Sequence, residues 1–321
     1  MGAASYQEAG TWTASVSHRW QYSDRHFVGD SEQRHRQLED SQIINDVHLI
    51  DIGIGYQISK RFVATLSVPF QFASRRGNIE NEDIENEFGN ETVIGHYWTH
   101  AYGLSDIKLL FTGWIFDPET SPKGNVSFGL GVKFPTGEKD VEDVRIEDYD
   151  EATGELIADI RPVDNSIQPG DGAWGFITDL YGFIEPTEQF TLFASGTYIF
   201  EPETDANVSA GSGRVWSVTD SYLFRMGGGY EFLPKYGLTF TLNARLEGTP
   251  SQDVFGHDAG RRRPGYAVSI EPGLVFAKNG WFASFSAPIA VYRNREENFE
   301  GDEGDAAFAD FITLLSVGRS F

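Results

Sequence analysis

The 321-residue chain contains no cysteine. That absence excludes a disulfide framework, a thiolate metal centre and thioether attachment of haem. It also lacks any run of about 18 apolar residues, so no helix read from it can cross a bilayer. Basic residues are scarce: 25 Lys and Arg stand against 48 Asp and Glu, a formal charge of −23. Such a chain offers no surface for neutralising phosphates, which excludes nucleic acid as a partner. No Ser-His-Asp order, nucleophile elbow or phosphate loop is present. We therefore expect no enzyme, no catalytic residue and no cofactor. His96 and His100 are four apart, but in a stretch read as loop or strand edge, and no metal site is expected there. Met1 is followed by Gly-Ala-Ala-Ser, with no basic start or apolar core, so the expected form is the mature one.

What the chain does have is aromatics, glycine and a period of two. It holds 25 Phe, 13 Tyr, 7 Trp and 35 Gly. Between 10 and 22, Trp12, Ala14, Val16, His18, Trp20 and Tyr22 alternate with Thr13, Ser15, Ser17, Arg19 and Gln21. That is a strand period. It recurs near 46–58, 62–74, 103–116, 124–135, 173–185, 189–201, 215–232, 237–248, 265–277, 281–292 and 307–321, about twelve strands in all. Each is long enough to cross a bilayer when tilted, whereas strands of soluble sandwiches average five or six residues. Short connections (59–61, 117–123, 185–188, 233–236, 278–280) alternate with long ones (23–45, 75–102, 136–172, 202–214, 249–264, 293–306). The expected fold is all-β: one domain over 1–321, a transmembrane antiparallel up-and-down barrel with short periplasmic turns and long acidic extracellular loops. An even strand count puts both termini on the periplasmic side of a bacterial outer membrane. The last strand ends on Phe321, an interfacial aromatic.

Charges within the strands fall on the face opposite the apolar one. Arg19, Asp51, Lys108, Lys133, Asp179, Arg225, Arg245, Glu247 and Glu271 are the candidate lumen-lining residues. They read equally as internal ion pairs that stiffen the wall or as a polar path for solutes. Trp12, Trp20, Trp281 and Phe321 are candidates for the aromatic girdles at the membrane interfaces. The long loops carry clustered carboxylates, including Glu138, Asp140, Glu142, Asp143, Glu147, Asp148 and Asp150. These are candidates for divalent cations, including cations bridging to lipopolysaccharide. Lipid, lipopolysaccharide and a small-molecule solute are the expected partners.

Several fragments resemble an outer-membrane family, the MetA-pathway of phenol degradation family. They are Gly-Leu-Ser-Asp-Ile at 103–107, Val-Lys-Phe-Pro-Thr-Gly at 132–137, Gln-Pro-Gly-Asp-Gly at 168–172, Glu-Pro-Gly-Leu-Val-Phe at 271–276 and Ala-Pro-Ile-Ala-Val-Tyr-Arg-Asn at 287–294. The stretch from Gly53 to Phe62, with Ser67-Val-Pro-Phe70 after it, is similar as well. The resemblance implies a transporter-like barrel for aromatic or hydrophobic compounds, with no catalytic residues. The expected function is passive passage of small solutes. The alternative is a closed barrel acting as anchor or scaffold, whose acidic loops bind a partner or divalent cations.

Overall fold

A computed structural model describes residues 6–85, 91–150, 153–211, 213–256, 258, 260–299, 301 and 304–321. Twelve staves form one antiparallel sheet. They are β1 (Trp12–Val28), β2 (Ile44–Gln57), β3 (Phe62–Glu85), β4 (Glu91–Leu104, resumed as Lys108–Trp114), β5 (Gly124–Lys133) and β6 (Gly175–Thr187), then β7 (Phe190–Phe200), β8 (Ser221–Leu233), β9 (Leu238–Thr249), β10 (Gly265–Lys278), β11 (Trp281–Ser286, resumed as Ile289–Arg295) and β12 (Ala306–Ser320). Each pairs with its sequence neighbour, and β12 pairs with β1 from Thr13–Ser320 to Phe27–Ala306, which closes the barrel. Closure leaves no strand edge unpaired along the seam. Trp12 and Phe321 exchange backbone hydrogen bonds of 2.9 Å at the turn end.

The polarity is inverted relative to a water-soluble fold. Large apolar side chains point outward along the wall: Val16, Ile52, Phe72, Phe128, Leu180, Leu242 and Ile270 are all exposed. Inside, Ser127, Thr241, Asn243, Arg245, Ser269 and Glu271 are buried. Only a surrounding apolar solvent rewards that arrangement. Hydrophobic clusters do exist, but they involve the loops. One joins Ala73 and Ala101 of the wall to Val163 and Ile167. The other joins Ala173, Ala206, Val208, Trp216 and Val218.

Three expected boundaries are corrected. The stretch 75–102 is mostly strand: β3 and β4 run on as a ladder as far as Glu85–Glu91. The expected fourth strand is broken at Ser105-Asp106-Ile107, where the wall turns inward to bond a loop. The expected strand at 215–232 starts at Ser221, because Arg214–Ser217 forms a separate loop hairpin with Asp205–Gly211. A further loop hairpin pairs Glu142–Asp150 with Glu155–Pro162.

The β11–β12 seam is incomplete. The two staves pair from Trp281–Arg319 to Ser286–Leu314, then only at Ile289–Phe311, beyond the break at Ala287-Pro288. Proline cannot donate to the ladder, so it suits such a break. Toward the loop end, the buried Arg293 side chain bridges the two staves. It donates to the Ala309 carbonyl at 3.2 and 3.1 Å and to Asp310 at 2.6 Å.

Candidate functional site

The inner wall carries a connected set of charges at mid-height. Arg225 of β8 donates to Glu271 of β10 through Nε (3.0 Å) and Nη2 (2.5 Å), and Ser286 adds a hydroxyl at 2.9 Å. Arg245 of β9 lies 3.7 Å from Glu271 and donates to Glu247 at 2.6 Å. Arg19 of β1 reaches Glu247 at 3.6 Å. Four steps around the wall separate β1 from β9, so this last pair spans a chord of the lumen and narrows it. Asp51 accepts from the Ser67 hydroxyl at 2.8 Å, and Asp179 from the Thr197 hydroxyl at 2.7 Å. Lys108 makes no hydrogen bond or ion pair with any described residue and faces a mid-lumen cavity. All nine expected lumen charges thus sit on the inner face. Seven are held in side-chain pairs, Lys108 is unpaired, and Lys133 belongs to a different cluster.

That cluster explains why three of the quoted fragments occur together. Lys133, at the end of β5, pairs with Asp171, with Glu201 at 2.9 Å and with Asp106 at 3.5 Å. Asp106, in the β4 break, accepts from the backbone N–H of Gly137 at 2.9 Å. Thr136 donates to the Ser105 carbonyl at 3.0 Å, and Ser105 bonds the Pro169 carbonyl. Gly137 and Gly170 lie against each other: a Cβ on Gly170 would sit 2.7 Å from Gly137 backbone atoms. A side chain at either position would force the two strands of chain apart. The result is a knot that folds segment 163–172 into the loop end of the lumen, where Gln71 on the inner face of β3 donates to the carbonyls of Ile167 (2.8 Å) and Gln168 (3.0 Å).

Asp164 of the same segment bridges two walls. Arg263, just before β10, holds it with two hydrogen bonds of 2.8 Å, and Arg75 of β3 approaches at 3.4 Å. Burial pushes the Asp164 carboxyl up, but the two guanidiniums outweigh it and hold it well below the usual carboxylate range. Above this bridge lies a cavity of about 790 Å³ lined by seven arginines and one carboxylate, Asp305. Below it, a cavity of about 620 Å³ is lined by Arg19, Lys108, Arg245 and Arg295 against Glu247 alone. A third cavity, about 980 Å³, continues to the turn end past Asp179, Arg225 and Trp281. At that end Gln7 donates to the Ser320 hydroxyl at 2.8 Å, while Tyr6 donates to the Ser121 carbonyl at 2.8 Å and packs on Trp114. Residues 6 and 7 therefore lie across the mouth.

The expected girdle residues divide by height. Trp12, Trp281 and Phe321 are exposed at the turn end, with Trp12 against Tyr56 and the Arg319 guanidinium over Trp281. Trp20 lies higher, half-buried, and its indole N–H donates to Asp46 at 2.8 Å. The exposed aromatics Trp98, Tyr102 and Trp174 accompany it toward the loop end, and sequence reading placed the first two in a loop. Of the carboxylates proposed for cations, Glu147 and Asp148 lie outside the described side chains, and Glu138, Asp140, Glu142, Asp143 and Asp150 do not gather into a cluster of three or more possible ligands among the described residues. Sequence reading also missed Arg75, Asp164, Arg295 and the run Arg261-Arg262-Arg263. That run, three consecutive arginines in an acidic chain, was the available signal.

The Lys133 cluster sets a pH dependence. Burial, then the negative charge of Asp171, pushes the Glu201 carboxyl from 4.5 up to about 8, with Lys133 opposing. A carboxyl raised on folding contributes stability that is full below 4.5 and lost as the pH rises through about 8. The knot around 168–172 is expected to loosen over that range. Hydrogen exchange at the Gly170 and Asp171 amides, corrected for intrinsic rate, should show falling protection from pH 6 to about 9. Glu201→Gln should abolish the trend; an unchanged trend in that variant would assign it to another group.

No family model matches the sequence, and no curated protein matches it. Solved structures do. An outer membrane channel from Pseudomonas putida F1 is 12% identical, with 100% of each chain covered and a TM-score of 0.62. The CymD monoaromatic hydrocarbon channel is 11% identical, covering 98% of this chain and 89% of its own, with a TM-score of 0.47. The P. putida toluene transporter TodX is 9% identical, covering 98% and 91%, also at 0.47. The first likeness shows the fold alone, that of an outer-membrane β-barrel; the other two are too distant to carry an argument.

Proposed function

We propose that the chain is a passive channel of the bacterial outer membrane for small solutes. The observation that carries this reading is that three cavities adjoin one another along the lumen. The first two share Thr249, Arg295 and Ala307, and the second and third share Thr197 and Leu223. Together they run from the loop end to the turn end. A filled barrel of small diameter has no such run. The likeness to an outer membrane channel supports the same reading. In this placement the long loops face outward, both termini face the periplasm, and Trp12, Trp20, Trp281 and Phe321 sit at the two interfaces.

Solutes with apolar parts fit the wall. Pro288, Ala290, Phe311 and Ile312, from β11 and β12, line the mid-lumen cavity. These apolar residues suit the compounds that the family resemblance implies. A second reading, a closed barrel serving as anchor, is favoured by segment 163–172 in the outer lumen and by residues 6 and 7 across the turn end. Liposome swelling separates the two. Proteoliposomes containing folded protein should swell in small neutral solutes faster than empty ones. Folded, inserted protein that leaves swelling at the empty-liposome rate would contradict the channel.

A further inference from the structure

We propose that the junction of the two upper cavities binds a small organic carboxylate with a compact apolar body. This deepens the channel reading and rests on it for its role in transport. The chain as a whole is acidic, at −23, yet the charged residues that line both cavities are mainly cations. The acidic loops do not cancel this locally, because exposed charges are screened within about 8 Å at physiological salt.

Two cations at the junction, Arg295 and Lys108, pair with no carboxylate among the described residues. Arg295 lines both cavities. Its Nη1 donates to the carbonyls of Arg263 (2.6 Å) and Pro264 (3.2 Å), which fix the guanidinium, and its Cζ lies 4.2 Å from the centre of the Phe308 ring. Among the described residues its buried Nε–H has no acceptor and no carboxylate pairs with it. Arg245 and Arg19, on the same lower cavity, are paired with Glu247 through Nη2, but their buried Nε–H groups likewise have no acceptor among the described residues. Lys108 completes the set with an ammonium that makes no bond to any described residue. A buried cationic donor without an acceptor is costly, and an anionic oxygen relieves it. Guanidinium geometry favours the two planar oxygens of a carboxylate.

The remaining wall decides what the carboxylate is attached to. Ile199, Leu223, Pro288 and Ile312 line the same cavity, whose 620 Å³ lies within the range of small-molecule sites. An inorganic anion would use the cations and leave this surface uncovered. A neutral apolar molecule would cover the surface and leave the cations unpaired. A carboxylate on a small ring or short chain satisfies both.

Calorimetry on the purified barrel in detergent tests this without requiring an open pore. Cyclohexanecarboxylate, cyclohexanecarboxamide and inorganic phosphate serve as probes. The expected result is carboxylate binding in the millimolar range or tighter, with the amide and phosphate each about tenfold weaker. Arg295→Gln and Lys108→Gln should each weaken carboxylate binding about tenfold. Lys108 makes no structural bond, so that variant keeps the test valid if Arg295→Gln fails to fold. Amide binding equal to carboxylate, phosphate binding equal to carboxylate, or full affinity in folded Lys108→Gln would overturn the proposal. Carboxylate binding by a barrel that fails to swell liposomes would overturn the channel and leave the site standing.

Discussion

Replacing Glu271 with alanine should destabilise the barrel by about 3–5 kcal/mol, the usual result of breaking a buried ion pair from one side. Glu271 has no exposed surface. It is the only acceptor that Arg225 has among the described residues, and it also holds Arg245 and Ser286. Alanine leaves the Arg225 guanidinium inside the wall with its charge uncompensated. Removing that charge as well, in Glu271→Ala with Arg225→Leu, should recover most of the loss, because well-packed apolar replacements for a buried pair are often neutral. Urea unfolding in lipid vesicles, followed by the gel shift between folded and heat-unfolded forms, measures both. A single-variant loss below about 1 kcal/mol would mean that Glu271 is solvated from the lumen and that the ladder contributes little rigidity.

Leu180→Arg should cost ~2–4 kcal/mol if mid-strand on the outer face is within lipid. Leu180 lies at the centre of β6, paired with Phe128, and both side chains point outward. The same substitution on the inner face has a different outcome. Thr197→Arg projects into the lumen beside Asp179, which already accepts from Thr197, and gains an ion partner there. Its cost should stay within about 1 kcal/mol. A soluble barrel predicts the reverse order, since an outward arginine would then face water. Unfolding of both variants in the same vesicles gives the comparison, and equal costs would remove the argument for lipid on the outside.

The period of two was enough to count the staves, because lipid on one side and polar groups on the other force it on every strand within the membrane. It fails above the membrane. The stretch Asn78-Ile-Glu-Asn81 of β3 has Ile79 as its one apolar residue, so its strand character left no pattern to read. The break in β4 left only a slip of one residue in the pattern. Across Gly103-Leu-Ser-Asp-Ile107 the apolar parity slips from Leu104 to Ile107, while the Ile107 N–H and the Ser105 hydroxyl bond Thr136 and Pro169, which are distant in sequence. The faces of Arg19, Arg245 and Glu271 followed from parity, but their partners depend on relative height, which parity does not encode. The fragments at 103–107, 132–137 and 168–172 were recognisable as a resemblance. That they form one knot around Lys133 is a property of the closed barrel. The Arg261-Arg262-Arg263 run was visible but lay in an expected loop, where a basic run reads as solvated surface.

The claim on which the rest depends is that a water-filled path runs the length of the lumen. Single-channel recording of the purified, refolded protein in a planar bilayer tests it most directly. Three linked cavities with a cationic upper half predict discrete current steps that favour anions over cations, reduced by added cyclohexanecarboxylate. A barrel shown by its gel shift to be folded, inserted in the bilayer and electrically silent would contradict the account. Segment 163–172 and residues 6 and 7 would then be plugs, and the barrel an anchor.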